Sequence, residues 1–271
     1  MTARLDAALP ARGLARSRTH AATLIAQGLV SVDGRPVVKA STQVGEDALI
    51  EVAASDHYVS RAAHKLIAGL DAFDVGVAGR IALDMGASTG GFTQVLRERG
   101  ADPVIAVDVG HGQLAPSVAS DPGVISIEGF NVRYMTSQSL AEASGIESAP
   151  QVITGDLSFI SLLHVLPAVR EVAAADADLV LLVKPQFEVG RTAVKGGLVT
   201  DAGSRADAVA GVLWAAWDVG LGTCRVVGSP IAGTHGNAEF IAHFRRADDG
   251  PGSGSNPTEW LSTVNRLTGS P

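Results

Sequence analysis

The chain has 271 residues, 46 % of them hydrophobic and only 4 % aromatic, with a mean hydropathy of +0.23, which supports a sizeable core in one large domain or a medium domain with a small companion. The single cysteine, Cys224, excludes an internal disulfide and suits a reducing compartment, and no apolar stretch approaches the ~18–20 residues that span a bilayer, so a soluble cytoplasmic protein is expected. A formal net charge of −7 argues by itself against a nucleic-acid partner.

The distribution of that charge reverses the impression. Residues 1–40 hold six basic side chains (Arg4, Arg12, Arg16, Arg18, Arg35, Lys39) against two acids, Asp6 and Asp33, a net of +4. The remaining residues hold fifteen basic and twenty-six acidic side chains, a net of −11. A basic binding module joined to an acidic body is the simplest arrangement that gives such asymmetry.

In chain order, the module reads helix, helix, hairpin. A helical turn is predicted at Asp6–Leu9 and a second helix from Ser17 through Ala26, stopped by Gly28. Two β-branched runs flank Asp33-Gly34, a strong two-residue hairpin signal, and Ala48–Val52 adds a strand. A short linker over Ala53–Tyr58 follows. Helical spacing over Arg61–Phe73 sets Leu66, Leu70 and Phe73 on one face, with Lys65 beside them.

From Ile81 onward, strand and helix patterns alternate, which predicts a mostly parallel sheet with helices on both faces. The strands are Ile81–Met85, Pro103–Asp108, Val124–Glu128, Val152–Asp156, Leu179–Lys184, Thr223–Gly228 and Glu239–Arg245. Helices are predicted at Phe92–Arg99, Phe159–Ala173 and Ser204–Asp218. No helix separates the last two strands, so an antiparallel edge hairpin is expected there. The Gly/Ser/Asp/Pro-rich run 247–256 opens a flexible C-terminal tail, 247–271, with a short helix around Trp260–Leu267 as the weaker expectation. The domains are thus 1–58, 59–246 and the tail.

The segment Ala82-Leu-Asp-Met-Gly-Ala-Ser-Thr-Gly-Gly-Phe92 passes from strand to glycine turn to helix. Gly86, Gly90 and Gly91 allow positive φ and a close backbone approach to a ligand. Ser88 breaks the dinucleotide fingerprint and no Walker lysine follows. The pattern instead resembles the first motif of S-adenosylmethionine-dependent methyltransferases. That resemblance implies cofactor contacts from Asp84, Gly86, Ala87, Ser88, Thr89, Gly90, Gly91 and Phe92. Asp108, at the end of the next strand, is placed to accept hydrogen bonds from ribose hydroxyls, with Glu128 and Asn131 near the adenine and Asp156 near the methyl donor.

Lys65, Asp156, Lys184 and Glu239 stand out around this frame, three of them at strand ends on the cofactor side. Their order resembles the tetrad of FtsJ-like ribose 2′-O-methyltransferases. A ribose hydroxyl is a poor nucleophile near neutral pH, so a base or dipole must draw off its proton. Lys184 is assigned that part, with Asp156 orienting it and Lys65 and Glu239 completing the network. A rival reading takes Asp156-Leu-Ser-Phe159 as the acid-and-aromatic grip of a base N-methyltransferase. In that case Phe159 would stack a base; otherwise it is a core residue starting the next helix.

The chain as a whole resembles the TlyA family of rRNA 2′-O-methyltransferases, which also carries the name hemolysin. The resemblance is carried by Arg4-Leu-Asp6, Gly13-Leu-Ala-Arg-Ser-Arg18, Val59-Ser-Arg-Ala-Ala-His-Lys65, Gly86-Ala-Ser-Thr-Gly-Gly-Phe92, Asp156-Leu-Ser-Phe-Ile-Ser161 and Lys184-Pro-Gln-Phe-Glu-Val-Gly190. It implies a Rossmann-like α/β methyltransferase domain preceded by a small α+β S4 RNA-binding domain. Arg4, Arg16, Arg18 and Lys39 would then lie on phosphates. It implies S-adenosylmethionine as cofactor, no metal, and methylation of cytidine ribose in helix 69 of 23S rRNA and, in one subgroup, helix 44 of 16S rRNA. Loss of these methyl groups goes with resistance to capreomycin-type antibiotics. Some relatives carry Arg-Ala-Trp-Val where this chain has Asp56-His-Tyr-Val59. A membrane-active hemolysin is the alternative of a different class, and the strongest apolar runs here are only sheet-length.

Overall fold

The computed structural model describes residues 2–270 apart from 16, 27, 53–56, 191–192, 234–235 and 248–253. The chain divides into two compact units, Met1–Arg61 and Ala62–Pro271.

In the first unit, β1 (Thr2–Arg4) leads into α1 (Leu5–Ala11) and α2 (Arg18–Ala26), followed by β2 (Val30–Val32), β3 (Arg35–Pro36), β4 (Gln43–Gly45) and β5 (Ile50–Val52). The hairpin β2–β3 turns at Asp33 (φ 50) and Gly34 (φ 74), two successive left-handed residues of the kind that match the twist of paired strands. β2 also pairs with β5, and β1 pairs antiparallel with β4. Three residues of Thr-Ala-Arg carry no alternation, so sequence reasoning did not foresee β1. Leu5, Leu9, Ala21 and Ile25 from the two helices, with Val30, close a small core. The linker expected at 53–58 falls mostly outside the described residues.

The second unit starts with α3 (Ala63–Phe73) and continues as β6 (Ala82–Met85), α4 (Gly91–Glu98), β7 (Val104–Asp108), α5 (Pro116–Ala119), β8 (Val124–Glu128), α6 (Ser137–Ser144), β9 (Val152–Gly155), α7 (Leu166–Val172), β10 (Asp178–Val183), α8 (Pro185–Glu188), α9 (Ala202–Asp218), β11 (Leu221–Gly228), β12 (Phe240–Arg246) and α10 (Leu261–Thr268). The seven strands form one sheet in the order β11-β12-β10-β9-β6-β7-β8. β10, β9, β6, β7 and β8 run parallel, and every residue of β10 is buried, as a strand covered on both faces requires. The expected antiparallel hairpin is present at the other edge, with β12 on its inner side against β10.

Two expectations need correction. Helix α7 begins at Leu166 rather than Phe159, and residues 157–161 run as a loop before a single 3₁₀ turn at Leu162–His164. Most of the run expected to be flexible, 248–253, lies outside the described residues, but residues 254–270 are more than a flexible tail. Thr223 and Ser255 exchange backbone hydrogen bonds, and Trp260 Nε1 donates to the Thr223 carbonyl at 3.0 Å. α10 falls where the weaker expectation put a short helix, around Trp260–Leu267, and its apolar face buries Val264 against the core.

Candidate active site

The parallel strands deliver their C-terminal ends to one edge of the sheet, where an open α/β fold binds its ligands. Asp156 follows β9 there, Lys184 follows β10, and Glu239 immediately precedes the antiparallel β12. Lys65 comes from α3. Gly69, one turn further along α3, lets that helix settle on the sheet: a Cβ there would lie 3.0 Å from Ile241 Cγ2 and 3.2 Å from Val180 Cγ1.

These four side chains meet as a continuous alternation of charge. Lys184 Nζ lies 2.5 Å from Asp156 Oδ1, Lys65 Nζ lies 3.5 Å from Asp156 Oδ2, and Lys65 Nζ donates to Glu239 Oε2 at 2.6 Å. Lys65, Lys184 and Glu239 are each less than a tenth exposed. Two ammonium groups and two carboxylates buried together leave no net charge in the low-dielectric interior, the condition under which such burial is tolerated. Burial alone would raise the carboxyl of Asp156, but the charges of Lys184 and Lys65 outweigh it and hold it below its ordinary value.

Lys184 Nζ also donates to Ser158 Oγ at 3.0 Å. Sequence reasoning passed over Ser158, whose small polar side chain has no spacing signal of its own. It missed Gly233 as well: a side chain there would run into the Glu239 carboxylate. The neighbouring Thr234 and His235 lie outside the described residues.

Two hollows adjoin this cluster and share Ser158 and Phe159 in their walls. A cleft of about 650 Å³ runs from Gly86, Ser88 and Asp108 past Asn131 to Asp156. A second hollow, of about 340 Å³, is lined by Lys184, Gln186, Phe187, Asn237 and Glu239. Phe159 stands between them at 93 % exposure, with φ 65, its ring 5.4 Å from that of Phe187. The expectation of a core residue at a helix start is therefore wrong for Phe159. Its backbone sits in a left-handed conformation that costs a non-glycine residue energy, and its ring points to solvent.

The residues predicted for the cofactor divide into those that line the larger cleft and those that support it. Gly86 (φ 76) lines it, and a Cβ there would be strained by the left-handed backbone and crowd Leu157 Cδ2 at 3.1 Å and the Asp156 carbonyl oxygen at 3.3 Å, so glycine eases the close approach of the β6 and β9 ends. Ser88, Asp108, Asn131 and Asp156 line it too. Asp108 takes the amide hydrogens of Ser88 at 2.8 Å and Gly110 at 2.7 Å, fixing two loops while each oxygen retains a second acceptor position. Asn131 accepts from the Arg133 amide at 3.1 Å.

Others stand back from the cleft. Asp84 is fully buried, its oxygens taken by Thr93 Oγ1 at 2.7 Å and Thr154 Oγ1 at 3.1 Å. Burial outweighs those hydrogen bonds and pushes its carboxyl up to about 6. It braces the glycine turn from below instead of meeting a ligand. Gly91 and Phe92 begin α4, and the Phe92 ring is in the core. Gly90 (φ 96) packs where a Cβ would meet Leu114 and Val118, Thr89 accepts the Ala115 amide through its carbonyl, and Ala87 is buried. Glu128 lies outside the larger cleft and binds the Gly112 amide at 2.6 Å. Gln113 lines the cleft over Gly110, unannounced by any motif.

Within the first unit, Arg4, Arg12, Arg18 and Lys39 are exposed but not equivalent. Arg4 donates to Asp6 through Nε at 3.1 Å and Nη2 at 2.9 Å, and Arg18 Nη2 lies 3.2 Å from the same carboxylate. The Arg4 hydrogen bond is the main force holding the Asp6 carboxyl down at about 2. Lys39 is exposed, Arg16 lies outside the described residues, and Arg12 is occupied with the carbonyls of Gly45, Glu46 and Ala48.

Among the described residues no helix is long and apolar enough to cross a membrane. Residues 58–246 match the FtsJ-like methyltransferase family, and residues 3–50 match the S4 domain. The chain is 47 % identical over 250 residues, 91 % of each chain, to the 16S/23S rRNA (cytidine-2′-O)-methyltransferase TlyA of Mycobacterium tuberculosis. It is 37 % identical over 242 residues, 89 % of this chain and 99 % of the other, to a Brachyspira hyodysenteriae protein named Hemolysin A. A solved structure from Streptococcus thermophilus, also named as a hemolysin, shares 34 % identity with a TM-score of 0.74, covering 98 % of this chain and 95 % of that one. With an S4 domain ahead of an FtsJ-like methyltransferase domain and this identity over nearly its whole length, the chain belongs to the TlyA family of rRNA methyltransferases.

Proposed function

We propose that this protein methylates the 2′-hydroxyl of a cytidine ribose in ribosomal RNA, using S-adenosylmethionine, within the cytoplasm. The observation that carries the reading is the buried alternation Lys184–Asp156–Lys65–Glu239 where the two hollows meet. The larger cleft has the size of a small-molecule site and the glycine turn that such a cofactor needs, with Gly86, Ser88, Asp108 and Asn131 placed to hold it. When bound there, S-adenosylmethionine supplies a sulfonium methyl group that is already electrophilic.

The chain's own residues then have to present and deprotonate the acceptor. Lys184 Nζ has one neighbour in Asp156 and another in Ser158, which leaves one position on its nitrogen for a hydroxyl in the smaller hollow. To act as the base, Lys184 first gives up one ammonium proton to solvent; the nitrogen, held beside Asp156 and Ser158, then takes the hydroxyl proton on the freed lone pair. Asp156 stabilises the ammonium that results, and Lys65 and Glu239 fix Asp156 in place. The exposed Phe159 ring offers the stacking surface that an unstacked base requires. Arg4, Arg18 and Lys39 of the first unit bind RNA phosphates.

The TlyA relative from Mycobacterium tuberculosis is named for both 16S and 23S rRNA, and one from Campylobacter jejuni for 23S alone. The 23S target, in helix 69, is the shared element and the one assigned here, with a bearing on capreomycin susceptibility. A base N-methyltransferase would leave Lys184 without a task. The test is single-turnover methyl transfer by Lys184→Ala with cofactor affinity measured in parallel. Loss of transfer with cofactor binding retained is expected; full transfer removes Lys184 from the mechanism.

A further inference from the structure

We infer that Glu188 is a positioning residue that locks the loop carrying Asp156 onto the turn carrying Lys184. The inference rests on the reading of Asp156 and Lys184 as the methyl-transfer site.

Both partners sit just past the ends of β9 and β10, with Lys65 of α3 on one side of Asp156, and the chain beyond each of them is irregular. Asp156 starts a loop that runs to Ser161 outside any helix or strand and passes through the left-handed Phe159. Lys184 stands at the head of α8, a single turn of four residues. The two segments lie side by side and touch in register. Lys184 meets Asp156 at 2.5 Å and Ser158 at 3.0 Å, and the Phe187 ring meets Phe159 at 5.4 Å. At the far end, Glu188 Oε2 accepts from Ser161 Oγ at 2.5 Å and Glu188 Oε1 accepts from the Leu162 amide at 3.0 Å. Ser161 Oγ in turn accepts from the Leu163 amide at 3.1 Å.

Besides Glu188, the loop meets this turn through the lysine side chain and one exposed ring contact. The lysine is the group that must keep a position free for substrate. A carboxylate with both oxygens engaged is a two-point tie, and it fixes direction as well as distance. Burial pushes the Glu188 carboxyl up while the Leu162 and Ser161 hydrogen bonds oppose that shift, as expected for a tie made in a partly dry setting. Ser161 ends one of the sequence motifs that mark this chain and Glu188 lies in the other, so a physical contact joins the two motifs.

The alternative is a plain structural cap on the 3₁₀ turn at Leu162, which would lower stability and leave the folded enzyme's rate unchanged. The experiment measures single-turnover methyl transfer to ribosomal subunits at saturating cofactor, normalised to folded protein, alongside cofactor affinity. Glu188→Ala is expected to slow transfer roughly 10- to 100-fold, the cost of about an ångström of misplacement, with cofactor affinity within about twofold of wild type. Glu188→Gln, which keeps an acceptor for the Leu162 amide and a polar partner for Ser161, is expected to recover most of the rate. Ser161→Ala, losing one tie, is expected to fall about three- to tenfold and to serve where Glu188→Ala does not fold. A wild-type rate in folded Glu188→Ala or in Ser161→Ala overturns the inference, as does a loss of rate matched by an equal loss of cofactor affinity. A Lys184→Ala control that retains full rate would instead overturn the site reading itself.

Discussion

Lys65 and Glu239 are 174 positions apart in the sequence, yet Lys65 Nζ donates to Glu239 Oε2 at 2.6 Å with both side chains almost fully buried. The ammonium that makes this bond also faces Asp156 at 3.5 Å, so the pair couples α3 to the strand ends that carry the chemistry. Removing one partner leaves the other charge buried. Glu239→Ala is therefore expected to cost about 3 kcal/mol, the low end for a broken buried pair, because Asp156 still partly compensates Lys65. The double variant Lys65→Met/Glu239→Leu should regain most of that stability and none of the activity. Urea denaturation and methyl-transfer assays on the three proteins check both halves, and a double variant as unstable as Glu239→Ala would contradict the argument.

Phe159 is expected to show opposite effects on stability and function. Its ring is 93 % exposed and buries little, while its φ of 65 is strained for any residue with a side chain. Phe159→Gly should stabilise the protein by about 1 kcal/mol as the left-handed strain is relieved. It should also weaken productive RNA engagement by roughly 1–3 kcal/mol, the worth of one stacked base. Thermal melts and kcat/KM on ribosomal subunits decide this, and a stabilised variant with undiminished kcat/KM would remove the ring from substrate recognition.

Asp84 should give the stability curve an unusual slope. Its carboxyl is raised from an ordinary 3.8 to about 6 in the folded protein. A raised carboxyl binds its proton more tightly folded than unfolded, so its contribution is fully present below about pH 4 and is lost as pH rises through about 6. The difference corresponds to on the order of 3 kcal/mol. Asp84→Asn, which stays uncharged throughout, should be less sensitive to pH over this window. Denaturation midpoints at pH 4.5, 6 and 7.5 test it: parallel curves for wild type and variant would show that Asp84 does not titrate there.

The first unit makes an electrostatic prediction. Arg18 shares the Asp6 carboxylate with Arg4, while Lys39 is exposed. If both reach phosphates, Arg18→Ala and Lys39→Ala should each weaken RNA binding and reduce the slope of log affinity against log salt by about 0.7–1. Filter binding to ribosomal subunits over a salt series measures it, and an unchanged slope would take that residue off the RNA.

Much of this molecule was legible in its sequence because its strands are short, apolar and separated by helical patterns. The seven sheet strands fall within a few residues of their expected places, and three of the tetrad, Asp156, Lys184 and Glu239, stand at strand termini while Lys65 comes from α3. What stayed hidden has no period to announce it. Ser158 acts through one hydrogen bond and Glu188 through two, all between irregular segments, and Gly233 acts by leaving room. Asp84 shows the reverse error. A motif residue expected at the ligand is instead the buried brace of the turn that meets it.

The central claim is that Lys184 and its partners methylate a ribose hydroxyl. Purified wild-type and Lys184→Ala proteins would each be incubated with unmethylated ribosomal subunits and S-adenosylmethionine, and the rRNA digested to nucleosides for mass mapping. The account predicts a 2′-O-methylcytidine at one site in 23S rRNA, within helix 69, made by the wild type and missing with Lys184→Ala. Methyl groups on a base, or the same ribose product from both proteins, would contradict it.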